Sequence, residues 1–251
     1  MLKKLSAVIR LNIRLQLTDP ASTLILTAIP LIFIPFMSPA FKSMLVADGY
    51  ADATGVEQAV PSMAVLFSFL SVQIIINSFI NERMWGTWPR LAASATPRGV
   101  VLTGKALVAY LLQFVQVLAV LVLGALAFGY RPKGSVIALL LAVLALSPGL
   151  AALGVAIALW APSQELALSL SNIIGMLAAG IGGAFCTVSS LPDWAQRAAR
   201  FSPAYWAIDA IHSVSLDGAG VAGVLPAVGV LALFFTGLAA LAMARLAVKK
   251  D

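Results

Sequence analysis

Charge is what this sequence has least of. Only 10% of its 251 residues are Asp, Glu, Lys or Arg, where soluble domains carry about 25%. Apolar residues make up 61%, and the mean hydropathy is +0.99. One soluble core cannot hide that much apolar surface, so the composition points to an integral membrane protein. Cysteine is nearly missing as well. Cys186 stands alone, which excludes an internal disulfide. The single histidine, His212, has no partners at metal-ligand spacing. No G-x-S-x-G nucleophile pattern occurs. Gly99 to Ala106 fits G-x-x-x-x-G-K, but an alanine follows the lysine. The hydroxyl that would hold Mg²⁺ is therefore missing, and the segment leads into an apolar run. These absences speak against catalysis, a metal centre or a cofactor in this chain.

The charge that is present falls between long gaps. Six stretches carry none: 20–41, 58–81, 106–130, 134–164, 166–192 and 218–244, of 22, 24, 25, 31, 27 and 27 residues. The next longest gap has 8 residues, 201–208. A helix needs about 20 apolar residues to cross a bilayer. A charge at its centre costs about 2.5–3.5 kcal/mol. Six spans of the right length, and none of intermediate length, predict an all-α polytopic membrane protein with six transmembrane helices. A β-barrel would alternate polar and apolar residues in segments of about 10 instead. Residues 1–251 read as one transmembrane domain. The gaps total 156 residues and leave 95, with no block beyond the 25 residues of 193–217. A soluble catalytic or ATPase domain has no room there.

Basic residues set the expected orientation. With the N-terminus inside, the inner segments hold 11 of the 16 Lys and Arg residues and the outer segments 5. The positive-inside rule then puts both termini in the cytoplasm and the chain in the inner (plasma) membrane. The net charge of +6 follows from topology and contact with anionic lipid. It requires no nucleic-acid partner. Arg10, Arg14 and Asp19 interrupt any signal-peptide apolar region. Residues 1–19 read as an amphipathic interfacial helix. Leu2, Leu5, Ile9 and Ile13 share one side, and Lys3, Lys4, Arg10 and Arg14 share the other.

Inside the spans, prolines and amides stand out. Pro30, Pro35 and Pro39 are expected to kink or break the first span, and Pro148-Gly149 the fourth. Gln73, Asn77 and Asn81 recur every four residues and share a face of the second span. Gln113 and Gln116 do the same in the third, and Asn172 lies in the fifth. Two readings stay open for these amides: bonds between helices, or the lining of a substrate path. Gly175, Ala179 and Gly183 allow close helix approach. No ionisable residue lies deep in a span, which weakens a proton-coupled carrier.

Two loops carry distinctive residues. One runs 82–98 between spans two and three, with Trp85 and Trp88 among its charges. The other, 189–217, follows span five. Ser190 and Ser202 are expected to cap two short helices at the outer surface, and Ser202-Pro203 has the cap-then-proline order.

These loops resemble the ABC-2-type transporter permease family, the membrane subunits of many bacterial exporters. The first matches through Glu82, Arg83, Gly86, Thr87, Arg90, Leu91 and Pro97, followed by Gly104-Lys105. The second matches through Leu191, Pro192, Trp194, Ser202, Pro203, Tyr205 and Trp206. Pro89 departs from the pattern. The resemblance implies a type V exporter fold and a second permease copy, identical or paralogous. It implies a separate ATPase subunit that binds ATP and Mg²⁺. Segment 82–98 would be the coupling helix, 1–19 the connecting helix, and 189–217 an outer gate. Spans two and five would line the path, which adds weight to Gln73, Asn77 and Asn172, with Gln113 and Gln116 as further candidates. The expected function is ATP-driven export of a drug, antibiotic or peptide. Export of polysaccharide or lipid is the alternative, and an ion-gradient-driven transporter a more distant one.

Overall fold

The structure, a computed structural model, describes residues 2–18, 20–84 and 98–248. Among these it is all-α, without strands. The helices are α1 Leu2–Thr18, α2 Ala21–Ala47, α3 Val56–Leu70, α4 Val72–Met84, α5 Arg98–Phe128, α6 Val136–Trp160, α7 Gln164–Ala179, α8 Asp193–Ala199, α9 Pro203–Ser215 and α10 Val221–Val248. A π-helical turn, Gly180–Ala184, extends α7, and a 3₁₀ turn, Val188–Ser190, precedes α8. Six helical segments are long and apolar enough to cross a membrane: α2, α3 with α4, α5, α6, α7 with its π turn, and α10. The chain is a multi-pass membrane protein.

The core sits on α3. Nearly every α3 residue from Gln58 to Phe69 is buried, against α2, α5, α7 and α9. The α3–α4 span is 83% buried, whereas α2 and α10 are 17% buried. The outer two thus present wide apolar faces, including Phe36 and Leu233, as lipid-facing helices do. The second span is two helices meeting at Ser71 rather than one.

The prolines do not break their helices. Both α2 and α6 run continuously through them. Pro30 has no N–H to offer the Leu26 carbonyl. Gln116 Nε2 on α5 donates to that oxygen instead (3.3 Å), and also to the Phe67 carbonyl on α3 (3.3 Å). A freed carbonyl inside a membrane protein must find such a partner.

The glycine repeat divides into two roles. A Cβ on Gly175 would lie 3.3 Å from that of Phe69, so this glycine permits close packing on α3. Gly183 has φ +99°, a left-handed conformation that glycine adopts without cost. Its carbonyl is thereby turned toward Gln58 and Ser62.

The segment 189–217 forms two short helices, with a correction to their placing. Ser202 caps α9 as expected, its Oγ accepting from the Ala204 N–H (3.2 Å). Ser190 does not cap α8, whose N-cap is Pro192; its hydroxyl pairs with Thr187. Only α8 is superficial. In α9, Ala204, Ala207, Ile208, Ala210, Ile211, Val214 and Ser215 are all buried. Small alanines let it sink among α3, α6 and α10 instead of lying on the surface.

Candidate functional site

Two cavities lie at opposite ends of the bundle. The first, at the α1 end, has a volume of about 550 Å³. One wall is α4, whose amides Gln73, Asn77 and Asn81 all face it, together with Ser78. The i, i+4, i+8 spacing put these side chains on one face, and that face is the groove wall. The opposite wall is α1, through Asn12, Gln16 and Thr18, with Ser22 from α2. No charged side chain lines the groove among the described residues. Asn77 Oδ1 accepts from Gln164 Nε2 at 3.0 Å, which ties the groove to the start of α7.

The other predicted amides are elsewhere. Gln113 and Gln116 are 2% and 4% exposed, behind the groove. Gln113 Oε1 accepts from Ser71 Oγ (2.9 Å) at the α3–α4 junction, and Gln116 bridges α2 and α3. Asn172 is exposed on α7, away from the groove. Six residues of one chemical type therefore occupy three different environments.

Lys105 was missed as a buried residue. Its place beside an apolar run made it look like a loop charge, yet it is 3% exposed. Its Nζ donates to the Ser78 carbonyl (2.8 Å) and sits 4.7 Å over the Phe79 ring. Next to it, a Cβ on Gly104 would come within 2.7 Å of the Val8 side chain. The glycine lets α1 press onto α5, and the lysine fastens α5 to α4. Asn12 and Gln16 were also missed; their own i, i+4 spacing was the available signal. The α1 residues that pack inward are Leu5, Val8, Ile9, Asn12 and Gln16, so Leu5 and Ile9 of the expected apolar side are among them while Ile13 is exposed.

The second cavity, about 400 Å³, opens at the far end between the 48–50 turn, α3, the segment 182–189 and α9. Asp48, Tyr50, Gln58, Ser189, Tyr205, Asp209 and His212 are in its wall. Distant loops are tied together around it. Tyr50 donates to Asp217 (2.8 Å), and Ser189 to Asp48 (2.7 Å). The Lys133 and Gly134 amides donate to the carbonyls of Ser215 and Val214. Burial, with Asp217 accepting its proton, pushes the Tyr50 hydroxyl up to about 12. Burial lowers the pKa of His212 and raises that of Asp209. At neutral pH His212 is therefore uncharged.

A model of the ABC-2 type transporter family matches residues 3–216. The chain belongs to the ABC-2 type transporter family. The linearmycin resistance permease protein LnrN of Bacillus subtilis is 22% identical over 184 residues, covering 73% of this chain and 48% of that protein. The chain thus spans about half the length of this curated relative. No solved structure matches.

In this ABC-2 chain the described part of the loop motif is its beginning. Glu82 and Arg83 belong to the last turn of α4. Gly86, Thr87, Arg90 and Leu91 lie outside the described residues. The far-end motif is spread over several elements. Leu191 offers its carbonyl to Gln196 Nε2 (2.8 Å), and Pro192 caps α8. Trp194 is 70% exposed. Pro203 starts α9. Tyr205 and Trp206 make an edge-to-face pair 5.3 Å apart, and Trp206 Nε1 donates to the Arg200 carbonyl (2.8 Å). Of these, Tyr205 alone reaches the far-end cavity.

Proposed function

We propose that this chain is the permease subunit of an ABC exporter, moving a drug, antibiotic or peptide outward with ATP hydrolysed on a separate ATPase subunit. The observation that carries this reading is the amide-lined groove of about 550 Å³, uncharged among the described residues, inside an ABC-2 domain. Amides and hydroxyls bond many ligands without demanding a charge, which suits a varied cargo entering from the cytoplasmic side. The relative's name concerns resistance to an antibiotic and is consistent with that cargo class.

In this reading both termini are cytoplasmic, α1 rides the inner membrane surface, and 82–98 is the coupling segment seated on the ATPase. Lys105 gives the coupling a physical route. It fastens α5 to the Ser78 carbonyl, one turn before Glu82, and Ser78 is itself in the groove wall. A push on 82–98 would reach Asn77 and Asn81 through one helical turn. A second permease copy completes the path, Gln73 and Asn77 meet the cargo, and the 189–217 helices govern its exit.

The test is copurification with a cognate ABC ATPase, followed by ATPase and export assays in proteoliposomes. The expected result is a stable complex in which Glu82→Lys with Arg90→Glu still hydrolyses ATP but no longer exports. Normal export by that double variant would reject the coupling role. Export that survives ATP depletion and collapses with an uncoupler would replace the reading with a gradient-driven transporter.

A further inference from the structure

Spans four and six run in the same direction and finish at the same level. Trp160 is the last residue of the one and Arg245 of the other. Both stand at the α1 end, since Gln164, which bonds Asn77 in the groove wall, follows four residues after Trp160. The two side chains are built into one stack. Trp160 Nε1 donates to the Leu241 carbonyl (3.2 Å), which fixes the indole against α10. Arg245 lies one turn beyond Leu241, with its guanidinium 5.0 Å from the centre of the indole ring. This seating pre-organises a side chain that is otherwise long and mobile, so a ligand has less of it left to order.

Arg245 has a charge but no acceptor. Its guanidinium makes no hydrogen bond or ion pair with any described residue. Nε is buried without a partner, and it alone of the three nitrogens is closed off. Nη1 and Nη2 therefore remain open, with their N–H groups unmatched by protein. The surface around them is apolar rather than watery. Trp160 and Leu241 are each 48% exposed, at the level where tryptophans meet lipid headgroups. A guanidinium reaching out from the end of a span meets phosphates there. Its fork matches two oxygens of a phosphodiester, and an anion at the fork offsets the cost of the sealed Nε. The exposed Arg10 and Arg14 of α1 differ. No aromatic ring lies beneath either among the described residues, and they attract anionic lipid by charge alone.

We propose that Arg245 and Trp160 form a headgroup site for the phosphodiester of an anionic phospholipid, in the leaflet at the α1 end, where the lipid ties α6 to α10. The proposal goes beyond the export reading and needs no ATPase partner. A lipid headgroup and a free phosphate share the chemistry of the fork. The place of the pair, at the ends of two spans, favours the lipid.

The test uses the purified full-length chain in detergent, with dioleoyl phosphatidylglycerol as probe and dioleoyl phosphatidylcholine and inorganic phosphate as comparisons. Lipid held per chain is counted by native mass spectrometry across a titration. The wild-type chain is expected to hold one phosphatidylglycerol more tightly than any further copies. Phosphatidylcholine binds less well there, because its own ammonium competes for the phosphate. Arg245→Gln weakens the tight site about tenfold, the loss of a charge-assisted hydrogen bond. Arg245→Lys, which keeps the charge without the fork, weakens it several-fold. Trp160→Leu also weakens it several-fold although the arginine remains, and keeps the test readable if the Gln variant fails to fold. Arg10→Gln leaves the tight site unchanged. Equal affinity in Arg245→Gln and wild type, an equal loss in Arg10→Gln, or phosphatidylcholine held as tightly as phosphatidylglycerol would each overturn the proposal. Displacement of the lipid by inorganic phosphate at a comparable concentration would also overturn it, in favour of a free anion.

Discussion

The two ends of this bundle solve opposite problems with opposite residues. At the α1 end the groove wall is neutral among the described residues, built from amides and hydroxyls on α1 and α4. Among the described residues, one side-chain bond ties its amides to a neighbouring helix, Gln164 to Asn77. At the far end the polar surface is ionisable, and loops more than a hundred residues apart are bonded together, as Tyr50 is to Asp217. Loosely joined amides can exchange partners cheaply, so the α1 end is suited to rearrangement. Cross-bonded loops around a sunken helix resist it. One scaffold thus holds a compliant end and a stiff end, joined by the rigid α3 core.

The largest test strikes the stiff end. A Cβ on Gly182 would lie 2.7 Å from the Tyr205 backbone nitrogen and 2.9 Å from the Ala204 Cβ. Gly182→Val is expected to lift α9 out of its seat and cost about 3 kcal/mol. Thermal unfolding in detergent measures this; a drop comparable to that of Gly149→Val, where nothing lies within 4 Å, would break the comparison.

A paired test at the compliant end separates its two kinds of amide. Gln116→Leu leaves the Leu26 carbonyl without its donor and should cost about 1–2 kcal/mol, with cargo preference unchanged. Asn77→Leu should shift cargo preference in a transport assay while stability moves by less than about 0.5 kcal/mol. The reverse pattern would assign the groove to packing and the interior amides to the path.

The smallest effect is a pH dependence of the stiff end. Burial lowers the folded-state pKa of His212 below its usual 6.5. The unfolded chain therefore takes up a proton first as pH falls, and stability declines from about 6.5 downward. His212→Gln should flatten that acid limb, measured as unfolding temperature between about pH 7 and 5. An unchanged slope would remove the histidine from the account.

The six spans were legible in the sequence because a charge in the bilayer is expensive, so charge-free runs mark helices directly. The family resemblance was legible in the 82–98 and 189–217 residues. Other features were not. The prolines of α2 and α6 suggested breaks because local rules see the lost N–H and not the distant Gln116 that replaces it. The burial of α9 was hidden because alanine is as common on surfaces as in tight interiors. Periodicity placed Gln73 and Asn77 on one face but could not say whether that face met a groove or a neighbour, as Gln113 shows. Lys105 was misplaced because a cation beside an apolar run is normally solvated, and the Ser78 carbonyl that receives it lies 27 residues away.

The bond from Gln116 to the Leu26 carbonyl has a consequence for biosynthesis. The two residues are 90 apart in the chain. When α2 leaves the ribosome and first meets the bilayer, Pro30 has already stripped Leu26 of its helical partner, and the residue that will replace it has yet to be translated. Insertion of α2 into lipid on its own would strand that carbonyl in hydrocarbon. The first segment is thus expected to settle fully only together with α3 and α5. A chain arrested before residue 116 should leave α2 extractable from the membrane, and one arrested after it should not.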